Sequence, residues 1–106
     1  MPTSLTLETS HGYDGELVLK ATGEIDLSNI DAFDRALTKA ATEAAGGDRK
    51  LTVDLSAVEY LDSAAVNALF SHADHIHLIA HPLLMSILSM CGLTELITTE
   101  PAPTGH

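Results

Sequence analysis

The chain has one cysteine, no tryptophan and only five Lys or Arg residues. Cys91 alone cannot form an intramolecular disulfide or a cysteine-based zinc cluster. Tyr13, Phe33, Tyr60 and Phe70 are the only aromatics, so the core must be aliphatic. Base stacking along single-stranded nucleic acid is a poor fit to so few rings. Five cations face fifteen Asp and Glu, a formal net charge of −10 with neutral His. That balance supplies no basic face for duplex nucleic acid or for an anionic membrane. A basic patch on a partner protein suits it better, and solubility alone is the plain alternative. The start, MPTSLTLETS, has neither the basic head nor the apolar run of a signal peptide. No apolar stretch reaches the ~18 residues of a membrane span. The expected compartment is the cytoplasm. The seven glycines make no phosphate-binding loop and no dinucleotide fingerprint. A phosphate on this chain would therefore have to come from another protein.

What remains is a 106-residue chain, 45% hydrophobic, enough for one domain with a modest core. Leu5–Glu8 and Glu16–Thr22 alternate apolar and polar residues around turn residues at 11–15, which predicts a β-hairpin. Ser28 reads as an N-cap, with Asp31 three residues on. Ile30, Phe33, Leu37 and Ala41 keep helical spacing until Gly46-Gly47. Leu51–Leu55 reads as a buried strand, Ser56–Tyr60 as a loop, and a helix starts near Ser63 with Val66, Leu69, Phe70 and Ala73 inward. His75–Ala80 reads as a short strand. Pro82 opens a last helix whose apolar stripe is Leu84, Ile87, Leu88 and Cys91, ended by Gly92. Leu93, Leu96 and Ile97 are expected to pack back, and Cys91 to be a core residue. Residues 1–100 form the expected domain and 101–106 a frayed tail. The alternation predicts an α/β fold: a mixed, mostly parallel sheet of about four strands, with helices mainly on one face.

The stretch Leu51–Phe70 carries the chemistry. Asp62-Ser63 stands at a strand-to-helix corner, where a hydroxyl beside a carboxylate suits reversible phosphorylation, or simply caps the helix. A Ser/His/Asp hydrolase is the weaker reading, because Ser63 lacks a Gly-x-Ser-x-Gly elbow. His72, His75, His77 and His81 lie within ten residues of one another, with Asp74 adjacent, and invite a metal or a pH-responsive reading. Their expected places, on a helix, a strand and the start of the next helix, favour separate surface imidazoles. Asp14, Asp26, Asp31 and Asp34 read likewise as solvated carboxylates. No metal and no cofactor is expected.

Taken together, three blocks resemble the STAS domain, and in particular the anti-sigma factor antagonist family. They are Gly23-Glu24-Ile25-Asp26 with Asn29, then Val53-Asp54-Leu55-Ser56 through Leu61-Asp62-Ser63, and finally Cys91-Gly92-Leu93 with Leu96. The resemblance covers almost the whole chain, and its second block is the most specific. It implies a non-enzymatic regulator with Ser63 as its phosphorylation site. It also implies a partner surface at Asp26, Asn29, Asp62, Ser63, Ala64 and Asn67. The implied partners are an anti-sigma factor that is a serine kinase and a PP2C-type phosphatase. The alternative within the same domain class is a STAS subunit of a lipid-transport ABC complex. Two features depart from the family pattern: Ala65 stands where a Gly is common, and only about a dozen residues separate Ser63 from the strand at His75–Ala80.

Overall fold

Residues 4–12, 15–47 and 49–101 are described by the structure, a computed structural model of the chain. The two alternating segments form β1 (Leu5–His11) and β2 (Leu17–Ile25). They pair antiparallel, from Leu5 opposite Gly23 to His11 opposite Leu17, which is the expected hairpin. Its turn residues Tyr13 and Asp14, like Asp48, lie outside the described residues. Gly23 has φ 110°, and a Cβ there would run into the Ser4 carbonyl oxygen, so the crossing of the two strands requires glycine.

The chain continues through α1 (Ile30–Gly46), β3 (Leu51–Leu61), α2 (Ser63–Ser71), β4 (Ile76–Ala80), α3 (Pro82–Met90), α4 (Leu93–Leu96) and β5 (Thr99–Pro101). The sheet order is β1-β2-β3-β4-β5, and β2 through β5 run parallel. The mixed, mostly parallel sheet is thus as expected, with five strands rather than about four. β5 is three residues long, too short to show an alternation, and exists because Leu78–Ala80 offers it an edge. Pro101 closes it opposite Ala80; a proline, which has no N–H to donate, is tolerated on an edge strand. The remainder of the expected tail, 102–106, lies outside the described residues.

One sheet face is dry. Leu17, Leu19 and Ala21 of β2, Leu51, Val53 and Leu55 of β3, and Ile76, Leu78 and Ala80 of β4 are all buried. Onto them pack Phe33 and Leu37 of α1, Ala65 and Leu69 of α2, and Leu84 and Leu88 of α3, in one core cluster. The intervening residues, such as Lys20, Thr22, Asp54 and His77, are exposed or half-buried. This is the period-2 signature of a sheet covered on one side. Thr52 is the buried exception, and its hydroxyl donates to the Glu16 carboxylate.

Four local expectations change. Ser56–Tyr60 is not a loop but the second half of β3, which stays paired with β2 to Ile25–Leu61. Register shifts between Lys20 and Thr22 and between Gly23 and Glu24 break its alternation, and this made the segment read as irregular. Ser28 is not the cap of α1, since its hydroxyl is taken by Asp26; Asn29 holds that position without a side-chain capping bond, its amide being committed to Asp26 and Glu24. In α2 the buried residues are Ala65, Val66, Ala68 and Leu69, while Phe70 is half-buried and Ala73 lies beyond the helix. In α3 only Leu84 and Leu88 are buried. Cys91 is exposed, as are Ile87 and Leu96. α3 ends at Met90, and Gly92, at φ 79°, turns the chain so that Leu93 enters the core instead of Cys91.

Candidate functional site

Two strand-to-helix corners meet at the carboxyl ends of β2 and β3. Asp62, in extended conformation, is the N-cap of α2: its Oδ1 accepts from the Ala64 and Ala65 N–H groups at 3.0 and 3.2 Å. Its Oδ2 accepts from the Leu27 N–H at 3.1 Å, in the neighbouring corner. Its own N–H donates to the Ile25 carbonyl at 3.2 Å. One residue therefore caps a helix and ties both corners together. Ser63 is the first residue of α2, not its cap, and is exposed. The capping reading of Ser63 is corrected on this point, since the neighbouring carboxylate holds the cap N–H groups.

The β2–α1 corner is ordered by its own side chains. The Asp26 Oδ1 accepts from the Ser28 N–H at 2.9 Å and the Ser28 hydroxyl at 2.5 Å. The Asn29 Oδ1 accepts from the Asp26 N–H at 3.0 Å, and its Nδ2 donates to the Glu24 carbonyl at 2.9 Å. Asp26 and Asn29 hold the loop in shape. Leu27, at its tip, is 76% exposed. Ala64 is half-buried, and Asn67 is exposed four residues after Ser63, on the same face of α2. So the structure brings Asp26, Asn29, Asp62 and Ser63 to one place, with Ala64 and Asn67 on the adjoining turn. Leu27 was missed from sequence, although a lone leucine between Asp26 and Ser28 in a turn was the available signal.

The four histidines do not converge on one point: His72 and His75 line a hollow against α1, while His77 and His81 face other partners. His72 Nε2 lies 3.5 Å from Asp34 Oδ1 and 3.4 Å from Thr38 Oγ1 on α1. His77 Nε2 lies 3.7 Å from Glu100 Oε1 on β5. His81 Nδ1 accepts from the Leu83 N–H as the cap of α3. Among the described residues no three of His, Cys, Asp and Glu form a metal-holding group. Asp31 is exposed and Asp14 lies outside the described residues. No described helix is long and apolar enough to cross a membrane.

A sheet whose strands follow one another in sequence order, one covered face and an exposed serine at the β3–α2 corner define a small single-domain α/β protein. A family model described as "Mlab, STAS domain" matches residues 11–98, and the chain belongs to the STAS domain family. Solved structures share the fold. An anti-sigma factor antagonist from Mycobacterium paratuberculosis is 24% identical, with a TM-score of 0.81 over 93% of this chain and 87% of that one. The anti-sigma factor antagonist SpoIIAA in its unphosphorylated form is 12% identical, with a TM-score of 0.68 over 92% of this chain and 89% of that one. The Bacillus cell fate determinant SpoIIAA in its phosphorylated form is 13% identical, with a TM-score of 0.64 over 92% of each chain. No curated protein matches the chain.

Proposed function

We propose that this protein is an anti-sigma factor antagonist, a non-enzymatic binding protein switched by phosphorylation of Ser63. Its partners in this reading are an anti-sigma factor that is a serine kinase and a PP2C-type phosphatase, all in the cytoplasm. The observation that carries the reading is the exposed Ser63 at the head of α2, with Asp62 fixed beneath it by three N–H donors. The unphosphorylated and phosphorylated forms of SpoIIAA, which share this fold, are in keeping with it.

The partner-binding residues in this reading are Asp26, Asn29, Asp62, Ser63, Ala64 and Asn67, to which Leu27 is added. Leu27 supplies the apolar contact, since covering a 76% exposed leucine removes its apolar surface from water. Phosphate on Ser63 adds about −1.5 to −2 charge at pH 7. The Ala64 and Ala65 N–H groups already serve Asp62, so the phosphate has less helix-end compensation than an uncapped terminus would give. Its charge stands beside a carboxylate and projects toward the partner. Moving a complex from nanomolar to millimolar affinity takes about 8 kcal/mol, and an unpaired charge forced into an interface supplies several of these. The free fold is little affected; the interface is.

The test uses the purified anti-sigma factor with wild-type, Ser63→Ala and Ser63→Glu proteins. Wild type and Ser63→Ala should bind alike, Ser63→Glu should bind at least about a hundredfold more weakly, and only wild type should accept phosphate from the kinase. Phosphate still entering Ser63→Ala would remove Ser63 from the account. The second reading is a STAS subunit held on the ATPase of a lipid-transport ABC complex. The matching family description, "Mlab, STAS domain", and Ala65 in place of the common Gly favour keeping it. Equal retention of that ATPase by Ser63→Ala and Ser63→Glu would select it.

A further inference from the structure

β3 is longer than the strand beside it. Leu51–Leu55 pairs with Ile76–Ala80, after which β4 stops and the chain turns into α3. Ser56–Leu61 continues for six residues with β2 on one side and, among the described residues, no strand on the other. The Ser56 N–H is taken by Asp54 Oδ1 at 2.9 Å, which leaves Ala57 onward as the open edge. Where β4 would have continued there is a cavity of about 540 Å³. Ser56, Ala57, Val58 and Glu59 form its strand wall, and Leu83 and Leu84, at the start of α3, form its apolar wall. His81 also lines it, with Nδ1 committed to the Leu83 N–H.

We infer that this groove is a β-addition site: an extended peptide from a partner protein, apolar in the middle and basic at its ends, takes the place that β4 vacates beside Ser56–Glu59. A strand edge supplies main-chain hydrogen bonds in register, and pockets for alternate side chains supply selectivity. Leu83 is 78% exposed, an apolar surface an incoming side chain would cover. Among the described residues Glu59 is the one carboxylate lining the groove, and α3 from Pro82 to Met90 carries no charge. The whole chain stands at −10, so a cationic peptide is attracted and a second copy of the chain is repelled. The described residues that line the groove come from β3, the cap residue His81 and α3, and none from the Asp26–Asn29 loop or from α2.

The test titrates the full-length protein, labelled with nitrogen-15, with a capped Lys-Val-Leu-Val-Lys peptide and with its Glu-Val-Leu-Val-Glu counterpart. Shifts at the amides of Ala57–Tyr60 and at the start of α3, with slower hydrogen exchange along Ala57–Tyr60, are expected for the basic peptide. N-methylation at the Leu amide in one peptide and at both Val amides in another should abolish the shifts in one of the two, since only alternate amides of an added strand face the edge. Leu83→Ser should weaken binding about tenfold, as expected for losing most of one buried leucine contact. Glu59→Lys should turn the preference toward the acidic peptide by about fivefold, the size of a partly exposed ion pair. Ser63→Glu should bind the peptide as wild type does, which separates this site from the proposed switch. Undiminished binding of both N-methylated peptides, shifts centred on Leu27 and Ser63, loss of binding in Ser63→Glu, no binding at millimolar peptide, or self-association of the chain through this groove would each overturn the inference.

Discussion

The corner around Asp62 and the end of the molecule around α3 are both exposed, and they are held in opposite ways. At the corner, polar atoms hold the backbone: Asp62 accepts three N–H groups, and Asp26 with Asn29 closes the adjacent loop. Ile25, Leu61 and Ala65 on either side are buried, while Leu27 at the loop tip is left out in solvent. At α3 the anchoring is apolar. Leu84 and Leu88 are buried on one side, while Leu83, Ile87 and Met90 stand out on the other. Its one capping bond from a side chain is that of His81. A corner shaped by hydrogen bonds keeps fixed directions and presents a hydroxyl in a defined place. A helix held by two leucines leaves uncharged apolar surface for something to cover.

This contrast can be broken from either side. Leu88→Ala should remove a fully buried anchor and destabilise the fold by about 3 kcal/mol, read by chemical denaturation. Asp62→Ala should cost about 2 kcal/mol, through the lost cap of α2 and the lost tie to Leu27, with the amide resonances of residues 26–29 and 63–66 shifting most. Asp62→Asn, which keeps an acceptor, should recover more than half of that. Gly92→Ala should cost about 1 kcal/mol: φ is 79° but nothing stands within 4 Å of the added Cβ, so the penalty is backbone strain alone. Met90→Ser, on the exposed side of α3, should change stability by no more than about 0.5 kcal/mol. Should Met90→Ser prove as costly as Leu88→Ala, the picture of α3 as a helix with one anchored face fails.

The hairpin, the helix stop at Gly46-Gly47, Pro82 at the start of α3 and the strand-to-helix corner at Asp62-Ser63 were legible because each rests on neighbours in sequence. The second half of β3 was not, since bulges against β2 remove its period and only the partner strand makes it a strand. Nor was the role of Asp62. Its Oδ1 bonds follow from position, two and three residues on, but the bond to Leu27 spans 35 positions. Ser28 and Asn29 were both polar residues near a helix start. Which of them capped it depended on where Asp26 pointed.

The sequence by itself determined the class of fold: a hairpin followed by strands alternating with helices, each read from the spacing of aliphatic residues and from glycine and proline at element ends. It also determined that Ser63 heads a helix, because a local pattern is enough to start one. Only the tertiary structure decided that Cys91 faces solvent and Leu93 the core. A helical stripe records which residues could be buried, and the left-handed turn at Gly92 selects among them. The same holds for the edge of β3 that no described strand covers, where β4 ends and the neighbouring strand continues. An unpaired strand edge is a relation between two segments, and no spacing within either one encodes it.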